Sequence, residues 1–417
     1  MIIYSFTVFE INKRLLLKQK TMSQTLQLNP SILRSKFRIH SIDILRGIVM
    51  IIMALDHTRD FLHIPSDPTN LQTTTPILFF TRWITHFCAP VFVFLSGTSA
   101  FLSGRKKTKK ELSSFLFKRG IWLIIIEVTI FNLLLTFDPT YSFLAVQVLW
   151  VIGFSMIILA AAIYLPIKAI FLIGLIIVCG HNLLDTFDFA KPTETPLWWG
   201  FLHQQSFFPY SPNRLFAILY PLLPWPGVMM LGYGVGSLYK KETDAKKRRR
   251  ILMTSGIIVT LFFIALRFTN VYGDPFEWHS QKNLIFTILS FLNTTKYPAS
   301  LLFLSMTLGP ALVFLSLFEN TNGKWSKVVS VYGRVPFFYF LIHFFLIHLI
   351  CMILFFAKGH TLSQANTGLL HFQAPDQGVP LGIVYLIWLA VIVVLYPVCK
   401  KYDRLKSSYK KWWFSYL

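Results

Sequence analysis

The sequence predicts an all-α fold: a polytopic integral membrane helical bundle of about ten transmembrane helices, with both termini cytoplasmic. Three observations predict it. First, 54% of the 417 residues are hydrophobic and only 14% are charged, against about a quarter charged in soluble domains. Second, several apolar runs reach the roughly 20 residues a helix needs to cross the hydrocarbon core. Backbone inside lipid must satisfy its own hydrogen bonds, which selects helices for runs this long and unpatterned. Third, the basic residues behind the net charge of +22 fall in clusters at Lys13–Arg38, Arg105–Lys110, Lys240–Arg250 and Lys400–Lys411. Each cluster adjoins an apolar run, and the clusters alternate with loops poor in Lys and Arg. That is the positive-inside pattern, with contact to anionic headgroups as its by-product. It accounts for the charge without nucleic acid as a partner.

The elements follow in order. Residues 1–37 read as a basic, disordered N-terminal segment. Charges follow its first apolar run and Glu10 interrupts that run, the reverse of a secretory signal, so Met22 is the expected true start. The transmembrane domain covers 38–400. Its expected spans are 43–64, 77–103, 115–136, 143–164, 168–184, 216–239, 251–268, 299–317, 335–356 and 381–399, followed by a basic cytoplasmic tail, 401–417. Pro90 and Gly97 predict a bend and a close helix contact in the second span, and "PLLPWPGVMMLGYGVG" predicts the same in the sixth. The aromatic loop between the fifth and sixth spans suits the headgroup interface. Cys88, Cys179, Cys351 and Cys399 lie inside apolar runs without paired spacing and read as small core hydrophobes.

Ionisable groups inside spans cost several kcal/mol unless paired or facing a cavity, so each marks a candidate site. The stretch "MALDHTRDFLH" closes the first span with Asp56, His57, Arg59, Asp60 and His63. Asp56, Arg59, Asp60 and His63 share one helical face. A histidine oriented by Asp56 or Asp60 has the geometry of a general base, and either His57 or His63 fits. Arg82 and His86, one turn apart in the second span, fall at the same depth if the two helices pack antiparallel. Arg59, Arg82 and His86 are candidates to stabilise an oxyanion. His343 and His348 in the ninth span are five apart, a poor spacing for a metal pair. Neither H-E-x-x-H, a P-loop nor a dinucleotide fingerprint is present, and no metal is expected.

Five stretches then carry a family resemblance: "RIHSIDILRGIVMIIMALDH", the S-I-D-x-x-R-G of Ser41–Gly47, the F-x-F-L-S-G of Phe92–Gly97, "TTKYPASLLFL" and "GRVPFFYFLIHFFLIH". In this order the chain resembles, over most of 38–400, the catalytic membrane domain of heparan-α-glucosaminide N-acetyltransferase, and more closely its bacterial relatives. The resemblance implies a multi-pass enzyme of the cytoplasmic (inner) membrane that moves an acetyl group from cytoplasmic acetyl-CoA to an acceptor on the far side. It places the family's asparagine at about His57 and leaves His63 as the nearest histidine in the family's catalytic loop. No counterpart of the lysosomal enzyme's large luminal domain is expected, which argues against a heparan-type polymer substrate.

The expected function is therefore an acetyl-CoA-dependent acyltransferase acting on an amine or hydroxyl of a sugar or envelope glycan. His57 or His63 is the base, with Asp56 and Asp60 beside it. Arg46, Lys296, Arg334 and His343 are the expected acyl-CoA contacts. The partners are the acyl-CoA donor, the glycan acceptor and the lipid bilayer, with homo-oligomerisation left open. Two alternatives use the same residues: a proton-coupled transporter or lipid/glycan carrier with the Asp/His/Arg cluster as its relay, and a scaffold in which the cluster is only interhelical packing.

Overall fold

The structure is a computed structural model that describes residues 39–240, 242–365, 370–373 and 377–409. The N-terminal segment 1–37, with its expected start at Met22, and the tail beyond 409 lie outside the described residues.

The first helix, α1 (His40–Leu62), carries Asp43, Arg46, Asp56, Arg59 and Asp60. It runs through the middle of the bundle. Next come α2 (Pro76–Thr85) and α3 (Cys88–Gly104), separated by a break at His86–Phe87. Pro90 explains the break, because its ring removes the hydrogen bond to the His86 carbonyl. Helix α4 (Lys109–Ile126) passes through a π-turn, Glu127–Phe131, into α5 (Asn132–Thr136). A strand, β1 (Phe143–Val146), leads into α6 (Val148–Ala162) and α7 (Ile167–Gly180). A short helix α8 (Leu197–Leu202) precedes the hairpin β2 (Ser206–Ser211) and β3 (Arg214–Ile218). The chain continues through α9 (Trp225–Gly236), α10 (Ala245–Thr269), α11 (Leu284–Leu292) and α12 (Leu301–Phe318). It finishes with α13 (Lys324–Arg334), α14 (Pro336–Ala357) and α15 (Leu381–Ser408).

Among the described residues, seven helical segments are long and apolar enough to cross a membrane: Pro76–Gly104, Lys109–Thr136, Ile167–Phe187, Ala245–Thr269, Leu301–Phe318, Pro336–Ala357 and Leu381–Ser408. The protein is a multi-pass membrane protein. The other three expected spans also contain helices, which fall short for two reasons. α1 is too polar, and α6 and α9 have only 15 and 12 residues. α10 and α15 present rows of exposed apolar side chains, among them Ile258, Leu261, Leu386 and Val393. Surface of this kind is what a bilayer covers.

The all-α expectation needs one correction. A three-stranded sheet of order β1–β3–β2 sits at one end of the bundle, with β1 parallel and β2 antiparallel to β3. The expected spans 143–164 and 216–239 take in β1 and the last three residues of β3, because short apolar runs do not separate strand from helix. Two local features divide them. Gln147 adopts φ −130°, ψ −137° between β1 and α6. Pro221, Pro224 and Pro226 keep α9 from starting before Trp225.

Glycines let the helices approach closely. A Cβ on Gly97 would overlap the Met229 carbonyl oxygen of α9, and one on Gly232 would overlap that of Phe94. Gly47 of α1 and Gly333 of α13 meet in the same way, each against the other helix's backbone. This second crossing carries Arg46 and Arg334 at its flanks.

Candidate active site

At the far end of α1 from Arg46, helical spacing gathers four charged groups. Arg59 lies 2.8 Å from Asp56 and 2.5 Å from Asp60, and Arg82 of α2 donates to Asp56 Oδ2 at 2.5 Å. The antiparallel packing of α1 and α2 thus brings Arg82 to the depth of Asp56. Asp56 and Arg59 are buried. Two carboxylates face two guanidinium groups, the balance that makes buried charge tolerable.

His57 turns away from these carboxylates. Its Nδ1 lies 2.8 Å from Nε2 of His343, on α14, and the ring packs edge-on against Phe344. His343 is fully buried, and its Nδ1 lies 2.7 Å from the Tyr339 carbonyl oxygen. A carbonyl only accepts, so His343 Nδ1 carries the hydrogen and its Nε2 is an acceptor. In the neutral pair His57 Nδ1–H donates to it, which leaves the lone pair on His57 Nε2. The expected orientation of His57 by Asp56 or Asp60 is corrected: a second histidine holds the ring.

His57 lines a cavity of about 350 Å³ together with Asp56, Asp60, Arg82, Lys296 and Tyr297. Its walls include the aromatic rings of Phe131, Phe340 and Phe344 and, just after β3, Tyr220. Lys296 lies over the Tyr297 ring at 5.1 Å. Lys296 and His343, expected with the donor, are placed with the His57 group instead. Other expected residues lie outside this lining. Arg59 sits behind Asp56. His86 is buried with its ring 5.3 Å from that of Phe303. His63, the residue after α1, is half-buried, with Nδ1 3.2 Å from Ser66 Oγ. Burial of its ring lowers the His63 pKa below the ordinary histidine value.

A second cavity of about 290 Å³ surrounds Arg46 and Arg334, and Arg119, Lys406, Ser96 and Ser99 also line it. Arg46 donates to Ser99 Oγ at 2.6 Å and to the Gly333 carbonyl at 3.3 Å, while Arg334 pairs with Asp403 at 2.7 Å. Phe92, Leu149, Ile152 and Phe337 line both cavities. Arg46 and His57 are about 16 Å apart along the axis of α1.

One participant went unread in the sequence. Glu127, fully buried in the π-turn, accepts the backbone N–H of Gln147 at 2.9 Å and of Trp150 at 3.1 Å. It replaces the missing side-chain cap of α6 and fixes the helix whose first turns separate the cavities. An acid in the middle of an apolar run was the available signal.

Among the described residues, Asp185, Asp188 and His203 have metal-ligand spacing. His203 is bonded at Nδ1 to Asp188 at 3.1 Å and at Nε2 to the His181 carbonyl at 3.1 Å. With both ring nitrogens engaged, the group is an internal polar network.

Residues 38–271, more than half of the chain, match the family model described as heparan-alpha-glucosaminide N-acetyltransferase, catalytic. The chain belongs to that family. A comparison with curated proteins gives no match. The heparan-alpha-glucosaminide N-acetyltransferase match covers α1 to α10, and with them Arg46, Asp56, His57, Arg82, Arg119 and Glu127. Lys296 and Arg334, which line the two cavities, and His343, the hydrogen-bond partner of His57, lie beyond it. Membership in the heparan-alpha-glucosaminide N-acetyltransferase catalytic family makes the protein an N-acetyltransferase-like membrane enzyme.

Proposed function

We propose that the protein transfers an acetyl group from acetyl-CoA, bound from the cytoplasmic side, to an amine or hydroxyl of a sugar or envelope glycan on the outer side. The observation that carries this reading is the pair of cavities. A basic one and a histidine-bearing one share a wall, and Arg46 and His57, one in each, are about 16 Å apart along α1. The basic loops cluster at the Arg46 end, which the positive-inside rule assigns to the cytoplasm of the inner membrane. Arg46, Arg119 and Arg334 supply the charge that phosphates of CoA require, and the extended pantetheine arm is of a length to reach His57.

In the chemical step the acceptor attacks the thioester carbonyl carbon. His57 Nε2 takes the acceptor's proton, the C–S bond breaks, and the CoA thiolate leaves and is reprotonated. His343 Nε2, already bonded to His57 Nδ1–H, stabilises the imidazolium that forms, the part a carboxylate plays in other sites. Lys296, Arg82 and the Tyr297 hydroxyl line the space where charge develops on the carbonyl oxygen.

Purified protein incubated with radiolabelled acetyl-CoA and a panel of amino sugars and envelope glycans tests this. Labelled acceptor together with released CoA is the expected result. Absence of both transfer and CoA binding would overturn the assignment. Coupled proton and substrate flux in liposomes without transfer would favour a carrier.

A further inference from the structure

We infer that Phe92, Leu149, Ile152 and Phe337 form an apolar septum between the two cavities, which admits only a slender, uncharged acyl thioester to His57 and seals the bundle against protons. The inference rests on the proposed donor and acceptor sides. These four side chains line both cavities, and none of them carries a polar atom. On one side of them stand Arg46, Arg119 and Arg334, and on the other Asp56, His57, Arg82 and Lys296. Whatever passes between the two charged chambers must cross hydrocarbon.

The septum is held in place from behind. Leu149, Ile152 and Phe337 are 4%, 2% and 5% exposed. Phe337 packs on Trp122, ring centroids 5.0 Å apart. Leu149 and Ile152 belong to the first turns of α6, which Glu127 fixes through the Gln147 and Trp150 N–H groups. Gly153 abuts Gly120 of α4, so α6 is backed by another helix and has no room to retreat. A rigid hydrocarbon opening discriminates by size and by charge. Each added methylene must find space in it, and a terminal carboxylate must shed its water with no partner to replace it.

Three consequences distinguish the septum from ordinary packing. Acetyl-CoA should be used at least tenfold faster than butyryl-CoA. Malonyl-CoA and succinyl-CoA should be at least about a hundredfold slower than acetyl-CoA, and so slower than butyryl-CoA, although the malonyl chain is shorter than butyryl. The wild-type protein in liposomes should not pass protons.

The experiment compares wild type, Leu149→Ala and the milder Ile152→Val with these four donors. CoA binding is measured separately by calorimetry, and proton leak by a pH dye trapped in the liposomes. Leu149→Ala should bring butyryl transfer to within about threefold of acetyl and leak protons. Ile152→Val should shift the same ratio in the same direction by less, and it stands in if Leu149→Ala does not fold. Succinyl-CoA used as fast as acetyl-CoA by the wild type, or an acyl preference unmoved in every folded variant, would overturn the septum while leaving the transferase reading intact. If the wild type neither binds CoA nor transfers acetyl, the transferase reading fails. The seal is then decided by the liposomes alone: a tight wild type with a leaking Leu149→Ala supports it, and equal leak in both overturns it.

Discussion

His57 Nδ1 and His343 Nε2 lie 2.8 Å apart and join helices whose sequence positions differ by 286. The Tyr339 carbonyl fixes one end of this chain of hydrogen bonds, so the pair has a direction and the lone pair falls on His57 Nε2, the nitrogen proposed to act as the base. Replacing His57 with Ala should lower kcat by about 10²–10⁴-fold, the usual contribution of a positioned general base. His343→Gln, whose side-chain oxygen still accepts a hydrogen bond, should retain more activity than His343→Phe, with the KM for acetyl-CoA unchanged in both. His63→Ala should keep wild-type turnover. Steady-state CoA release checks all four, and an inactive His63→Ala beside an active His57→Ala would reverse the assignment.

Asp56 is the hub of the buried charges, ion-paired with Arg59 and hydrogen-bonded by Arg82. Asp56→Asn would leave two guanidinium groups short of a counter-charge, a loss of about 3–5 kcal/mol by the usual cost of breaking a buried pair. The measurement is the unfolding midpoint in detergent. A midpoint equal to that of wild type would show that solvent reaches the cluster.

Arg334 lines the basic cavity and carries Asp403 on its outer side. If it meets a CoA phosphate, Arg334→Ala should weaken CoA binding by about 10–100-fold, the equivalent of one charged hydrogen bond. The KM for acetyl-CoA should rise while kcat stays near wild type. A change confined to kcat would place Arg334 elsewhere in the reaction.

The turn before β1 gives a pH-dependent outcome. Partial burial pushes the Asp138 carboxyl up, but hydrogen bonds from the side chains and N–H groups of Ser142 and Thr140 outweigh it and hold the pKa well below the usual carboxylate range. A depressed carboxyl contributes its full stability above its unfolded value, about pH 4, and loses it as pH falls toward the folded value. Asp138→Asn should therefore destabilise the protein at pH 7 and narrow its difference from wild type below about pH 4. Thermal midpoints across that range check it.

Much of this site was legible in the sequence because charge inside an apolar run is costly and stands out. Asp56, His57, Arg59, Asp60 and Arg82 were all read that way, and helical spacing together with antiparallel packing accounts for their meeting. His343 was visible as a histidine but not as the partner of His57. It sits in an apolar span without an acidic neighbour, and no local pattern reports a contact so distant in sequence. Lys296 was read with the donor because a lysine before a span reads equally well as a phosphate contact. The sheet was missed for a different reason: β1 and β3 are runs of four and five residues continuous with helical stretches, too short for periodicity to resolve. Glu127 carried a signal in its composition that went unused.

The position of α1 also sets an order of assembly. Its packing partners include α12, α13, α14 and α15, all from the last third of the chain. Ribosomes add about 5–20 residues per second, so α1 is made on the order of tens of seconds before Arg334 and His343 exist. During that wait its acids and arginines lack their eventual neighbours, and Gly47 has no helix to rest against. A nascent chain halted before α13 would hold most of the charged cluster yet have neither the His57 partner nor a complete basic cavity. Activity is thus gained only when synthesis is nearly finished, and an insertion factor that shelters α1 would raise the yield of active enzyme more than the yield of total protein.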